Sequence, residues 1–397
     1  MIFEITLIMI GYIFLIYYLT NEQTNHFKRI SKIKHRIHIN GIRGKSSVTR
    51  LIGQILREQG IKTYTKTTGS EARLIDHNGE EKPIKRRIAN INEQISIVEK
   101  ISKHKPEALV VECMAIHPNL QRVCEEKMIN ATISVLTNVR FDHQDLMGWT
   151  LEEITYSLCE FIPTNSILVC GEQNPKLLKI IKEKTKKRNT KLILADNKLM
   201  ESDKNILKKL NYIEHEENIA LALKVAEILK IDKETATRGI LNASPDPGVL
   251  KVYQKRVNGL SVSFINAHAA NDRESIIKIY KILKEQGHLN KTNIGILYNR
   301  YDRPERAEIF ADTASKNMNL DAIILIGAYK DIVKNKLTNN GFSDDKIFLL
   351  KKENIENLIK MLYKISNGNG NGKEINLIGM VNIHGSLVQK YIKYFAN

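Results

Sequence analysis

Arg36-Ile-His-Ile-Asn-Gly-Ile-Arg-Gly-Lys-Ser-Ser47 is the stretch on which the fold turns. Apolar residues at 37 and 39 predict a strand over Arg36–Asn40, and Gly41-Ile-Arg-Gly44 predicts a tight turn. Lys45–Gly60 then reads as a helix, because Val48, Leu51, Ile52, Ile55 and Leu56 share one face and Gly60 follows as a stop signal. A strand, glycine turn and helix in this order bind phosphate. Gly41 and Gly44 let the backbone approach phosphate oxygens, the helix start adds partial positive charge, Lys45 reaches the outer phosphates, and the Ser46 hydroxyl can ligate Mg²⁺. Arg43 and Ser47 lie in the same motif and join the nucleotide-binding candidates. A full Walker pattern would need glycine at 39, where Ile39 stands.

Downstream of this loop, short apolar runs alternate with amphipathic segments, the pattern of an α/β fold with a parallel sheet covered by helices. Strands are expected over Ala108–Val111, Thr132–Asn138, Ser166–Cys170 and Leu192–Ala195, and a helix over Glu216–Lys230. Two of these strands end in candidate ligands, at the edge where open α/β sheets hold theirs. Glu112 follows the first, and Asn138, Asp142, His143 and Asp145 crowd the end of the next. Ser244-Pro-Asp-Pro-Gly248 interrupts the rhythm as an interdomain hinge. A second alternation follows, with strands expected over Leu260–Ile265, Asn293–Leu297, Ala322–Ile326, Ile347–Leu350 and Asn376–Gly379, and helices over Arg273–Gln286 and Glu353–Ile365. The boundaries are therefore an anchor over 1–20, a basic linker over 21–35, a phosphate-loop (nucleotide-binding) domain over 36–245 and a C-terminal α/β domain over 246–397.

Residues 1–20 hold one charge, Glu4, in an apolar run just long enough to cross about 30 Å of hydrocarbon as a helix. Lys28, Arg29, Lys32, Lys34 and Arg36 follow the run rather than precede it, and no A-x-A site appears, so it reads as one retained span with the rest of the chain cytoplasmic. Across 397 residues, 42% hydrophobic and 26% charged composition excludes wholesale disorder, collagen and multi-span membrane classes. Lys plus Arg (61) outnumber Asp plus Glu (44), a net +17 that points to an anionic partner. A single Trp and no recognition-helix motif argue against nucleic acid. Cys113, Cys124, Cys159 and Cys170 lack ligand spacing and read as small buried hydrophobes. Lys176–Lys191 is strongly basic with Leu177, Leu178, Ile180 and Ile181 interleaved, and reads as a solvated helix.

The order G-x-x-G-K-S, strand-end Glu, then N-x-x-x-D-H-x-D resembles the Mur ligase and folylpolyglutamate synthetase superfamily of ATP-dependent amide ligases. Within it NGIRGKS, KTTGS, EEKPIKR, ECMA, DHQDLMG, ASPDPG, AANDRES, the R-x-D-R of Arg300–Arg303 and GMVNIHG resemble the catalytic ligase subunit of poly-γ-glutamate synthase, the CapB/PgsB type. That resemblance implies a Mur-ligase-like central domain and a Rossmann-like C-terminal domain. It also implies that Lys45 and Ser46 hold the β/γ-phosphates and metal, Glu112 and His143 bind metal, and Asn218 contacts adenine. Asn271, Asp272, Arg300 and Arg303 are the candidates from the C-terminal domain. ATP and Mg²⁺, or Mn²⁺ in its place, are the implied cofactors. Glutamate, a growing polyglutamate chain and small membrane subunits are the implied partners, and a homo-oligomer stays open. Only the anchor and linker precede the loop, so a UDP-muramyl substrate is not expected. The carbamylated lysine common in Mur ligases has no counterpart, since no lysine lies between Lys127 and Lys176, although Glu152, Glu153 or Glu160 could substitute.

The expected reaction is activation of a carboxylate as acyl phosphate followed by attack of an amine. Two alternatives share the loop: a ligase for a soluble metabolite such as folate, and a membrane-tethered P-loop ATPase motor.

Overall fold

The strand expected before the glycine turn is β1 (His35–Asn40), which lies inside the first sheet of the computed structural model. Among the described residues that sheet also contains β2 (Thr63–Thr67), β3 (Arg73–Ile75), β4 (Glu81–Pro83), β5 (Ala108–Glu112), β6 (Ile133–Leu136), β7 (Ile167–Cys170) and β8 (Lys191–Leu194). Their order is β4-β3-β2-β5-β1-β6-β7-β8, parallel from β2 to β8 with β3 and β4 antiparallel at one edge. The structure describes residues 2–69, 72–84, 90–196, 204–210, 212–246, 249–268, 270, 272–302, 304–368, 374–380 and 386–396. Two units divide the chain: Met1–Leu210 with His215–Asp246, and Asn211–Glu214 with Pro247–Asn397.

Both faces of the first sheet are covered, which is why β5 is apolar at every position before Glu112. Ala108 and Val110 point into the cluster formed with α2 (Lys45–Glu58), whereas Leu109 and Val111 point into the cluster that holds Ile30, Ile97 and Ile101. The five apolar residues read along α2 are all buried, each contributing roughly 1.5–3 kcal/mol. Strands β2 to β4 went unread because Thr63-Tyr-Thr-Lys-Thr67 is polar to the eye, yet all five of its residues are buried.

The N-terminal segment differs from the sequence expectation. No linker begins at residue 21: α1 runs unbroken over Ile2–Ile30. Its apolar half is exposed, long and apolar enough to cross a membrane. Its second half packs onto the first unit instead, where His26 and Ile30 are buried. Gln23 Nε2 donates to Lys127 O (3.0 Å), His26 Nε2 lies 2.7 Å from Met128 O, and Arg29 pairs with Glu99 at 3.1 Å. These carbonyls belong to a π-helical turn, Cys124–Ile129. A run of Lys and Arg is compatible with helix, and the spaced apolar residues beneath it supply the packing that a linker would lack.

In the second unit the strands are β9 (Lys251–Val257), β10 (Leu260–Ala267), β11 (Thr292–Asn299), β12 (Ala322–Gly327), β13 (Ile347–Leu349) and β14 (Glu374–Met380). They lie in the order β13-β12-β11-β14-β10-β9, parallel except for β9. Helices Arg273–Glu285, Pro304–Asn317 and Lys330–Asn339 contribute to one core cluster, and Ile355–Gly368 and Ser386–Ala396 to the other, a doubly wound Rossmann-like arrangement. Strand β9 is charged and half-exposed. It turns into β10 through Asn258 and Gly259, both at positive φ (47° and 91°), as a two-residue hairpin turn requires. Of the expected hinge, Ser244, Pro245 and Asp246 belong to the first unit, while 247 and 248 lie outside the described residues, as do 369–372 of the GNGNG run.

Candidate active site

Two glycines set the shape of the loop between β1 and α2. Gly41 and Gly44 have φ of +128° and +81°, and a Cβ on either would come within 2.1 Å of Thr137 Oγ1 or 2.3 Å of Asn218 Oδ1 respectively. The loop is therefore threaded between the end of β6 and helix Glu216–Ile228. Thr137 Oγ1 donates to Arg43 O (2.6 Å), and Asn138 bonds Arg43 from both ends of its amide, accepting from Arg43 N (3.1 Å) and donating to Arg43 O (3.0 Å). Lys45 folds back so that Nζ donates to Gly41 O (2.7 Å) and Ile42 O (3.3 Å). Burial lowers the Lys45 pKa, and Glu112 opposes that shift.

Glu112 ends β5 directly beside the loop and is itself buried. Its Oε2 accepts from Ser46 Oγ (2.8 Å) and from the Thr68 amide (2.7 Å). Hydroxyl and carboxylate oxygens are hard donors, and Mg²⁺ in nucleotide sites commonly takes one or two protein oxygens, phosphate and water. The Ser46–Glu112 pair fits that requirement. Among the described residues no three His, Cys, Asp or Glu side chains are grouped for metal binding.

His143 stands in the left-handed region (φ 47°) at the start of helix Gln144–Met147, with its backbone N–H donating to Asp142 Oδ1 (2.9 Å) and Nε2 3.8 Å from Asp142 Oδ2. Asp142 also pairs with Arg43 at 2.9 Å, tying the segment after β6 back to the loop. Asn218 is buried in the first turn of helix Glu216–Ile228, its N–H donating to His215 O (3.1 Å). Ser47 occupies the third position of α2. The first unit thus gathers Gly41, Arg43, Gly44, Lys45, Ser46, Glu112, Asn138 and Asn218 around one loop.

Asp272 and Arg300 belong to the second unit. Both oxygens of Asp272 accept from Ser275, from its N–H (2.8 Å) and its hydroxyl (2.7 Å), so Asp272 caps helix Arg273–Glu285. Arg300 forks onto Asp302 (2.8 and 2.6 Å) just past β11. Asn271 and Arg303 lie outside the described residues.

Three residues of the site were not singled out in the sequence. Thr137 sits inside the Thr137–Asp145 run, and Thr68 inside KTTGS; each could have been found only by knowing which backbone it faces. Arg50, buried on α2, holds Glu81 through two nitrogens, one at 3.0 Å to Oε2, and lies 3.8 Å from Asp246. No local signal joins residues 50, 81 and 246.

Residues 39–242, which contain this whole loop, match the Mur ligase middle domain. Fold and loop together define a Mur-type ligase. Residues 252–397 match the C-terminal domain of poly-gamma-glutamate synthase CapB. The chain is 37% identical over 379 residues to PGA synthase CapB of Bacillus subtilis, covering 94% of each. It is 42% identical over 318 residues to capsule biosynthesis protein CapB of Bacillus anthracis, covering 79% of this chain and 68% of the relative. The chain belongs to the poly-gamma-glutamate synthase CapB family of the Mur ligases. A folylpolyglutamate synthase of Mycobacterium tuberculosis, complexed with ADP and AMPPCP, shares the fold at a TM-score of 0.64 over 95% of each chain with 13% identity.

Proposed function

We propose that this chain is an ATP-dependent carboxylate–amine ligase that lengthens poly-γ-glutamate for a capsule or exopolymer. The observation that carries the site is the convergence of Ser46 Oγ and the Thr68 amide on Glu112 beside the Lys45 amine. A carboxylate is a poor electrophile and hydroxide a poor leaving group, so phosphorylation of the chain's terminal carboxylate removes both obstacles. ATP with Mg²⁺, or Mn²⁺, supplies that phosphoryl group when bound. We assign Ser46 and Glu112 to the cation, with His143 as a further ligand. Gly41, Arg43, Gly44 and Ser47 cradle phosphate, and Asn138 fixes the loop through Arg43. Asn218 sits against Gly44 and is assigned to adenine.

Lys45 exchanges its loop carbonyls for phosphate oxygens and stabilises the charge that builds during transfer, the largest kind of contribution a preorganised site makes. Arg300 and Arg303 supply positive charge from the second unit, and Asp272 caps the start of helix Arg273–Glu285. The amino group of glutamate then attacks the acyl phosphate and inorganic phosphate leaves. Exposed apolar residues along the first half of α1 support single-pass attachment to the cell membrane with both units cytoplasmic, where small membrane subunits would meet it.

Hydroxylamine trapping tests the reading, using membranes that contain the full-length protein with polyglutamate primer. ATP-dependent hydroxamate that disappears in Lys45→Ala is expected. Lys45-dependent ATP hydrolysis with no hydroxamate would mean a motor rather than a ligase.

A further inference from the structure

Helix α1 gives a fixed distance between the membrane and the first unit. Gln23 stands about 4.5 Å along the helix from Thr20, and its side chain already bonds the Lys127 carbonyl. One turn further on, His26 is fully buried. A span that ends near residue 20 therefore brings the π-helical turn Cys124–Ile129 to headgroup level, with no slack between them. Glu126 of that turn holds Arg188 at 2.8 Å, and Arg188 closes helix Pro175–Lys187.

This helix is the basic segment that the proposed ligase chemistry leaves unused. It buries Leu177, Ile180, Ile181 and Thr185 and on the other side exposes Lys179, Lys182, Lys186 and Lys187, with one carboxylate, Glu183, among them. Lys184 is already engaged by Glu160 at 3.0 Å, but among the described residues none of those four exposed lysines has an ion-pair partner. Four cations against one carboxylate on a helix face, joined through the Arg188–Glu126 ion pair to a turn at headgroup depth, match an anionic surface. We propose that the lysine face of helix Pro175–Lys187 seats on anionic phospholipid headgroups and fixes how the ATP-binding unit lies against the bilayer. The proposal rests on α1 being a membrane span. An anionic polymer could meet the same charge, but its binding would not depend on the place where the span emerges.

The four native cysteines are buried, so full-length Lys187→Cys can be labelled at that site with a donor dye. The protein is placed in phosphatidylcholine vesicles with or without phosphatidylglycerol, each carrying a headgroup-labelled acceptor lipid. Energy transfer is expected to rise about twofold with phosphatidylglycerol and to lose that rise in high salt. It should also be lost in Lys179→Glu/Lys182→Glu/Lys186→Glu, with ATP hydrolysis unchanged. Flotation with equal transfer on both lipids overturns the proposal alone. If polyglutamate then binds the parent and not the triple variant, the face belongs to the polymer. Failure to float with either vesicle overturns the span and the proposal with it.

Discussion

Gly44→Ala should damage this protein in two separable ways, and a second glycine tells them apart. Gly44 has φ +81°, and a Cβ there would lie 2.3 Å from Asn218 Oδ1. Gly60 has the same φ of +81° with nothing within 4 Å of its Cβ position. Placing alanine in the left-handed region costs about 1–2 kcal/mol at either site. Overpacking against a buried neighbour adds about 1–3 kcal/mol at Gly44 only. Gly60→Ala should therefore cost about 1–2 kcal/mol and Gly44→Ala roughly 2–5 kcal/mol. At about 2–4 °C per kcal/mol for a unit of this size, the two melting temperatures should separate by several degrees. Thermal melts with and without an ATP analogue provide the assay. Gly44→Ala should lose most of the stabilisation by the analogue, because the Asn218 side chain is displaced, whereas Gly60→Ala should keep it. Adding Asn218→Ala to Gly44→Ala should recover part of the overpacking loss, a coupling that independent sites would not show. Equal melting temperatures for the two alanine variants, with equal response to the analogue, would refute the loop packing described here.

Glu112→Gln keeps the shape of the carboxylate but removes the charge shared by Ser46 and Thr68; hydroxamate formation should fall on the order of 10²-fold, with the Mg²⁺ requirement shifted upward in a titration. His38 is fully buried 2.6 Å from Glu125; burial alone would lower its pKa, but Cys113 and Glu125 outweigh it and raise the value to about 10. A raised pKa contributes stability that is complete below the ordinary value of 6.5 and is lost as pH rises toward 10, so denaturant midpoints should fall across that interval and His38→Gln should flatten the fall. Arg50→Met leaves Glu81 without its two charged hydrogen bonds and should cost about 1.5–3 kcal/mol in chemical denaturation.

Local pattern carried the phosphate loop because every ingredient lies within twelve residues. Glu112 and Asn138 were also legible, since strand ends can be placed from apolar runs and ligands in open α/β sheets gather there. Strand β2 was not: Thr63, Thr65 and Thr67 are fully buried by partners far away in sequence, which overrides their polarity. The continuation of α1 past residue 20 was hidden for a related reason. Lys28 and Arg29 suggest a solvated linker, but residues far along the chain give His26 the Met128 carbonyl and Ile30 a core that includes Ile97, Ile101, Leu109 and Met128. Arg50 shows the limit most clearly, because its partners at 81 and 246 become neighbours only after the chain has folded.

Lys45 has a consequence for how the loop meets nucleotide. Its amine is held by the carbonyls of Gly41 and Ile42, within the loop's own backbone. A lysine side chain surrenders up to about 2 kcal/mol of rotamer freedom when it is immobilised, and here the fold itself bears part of that loss. The positive charge is therefore a fixed corner of the loop, aligned by backbone rather than carried on a free tether.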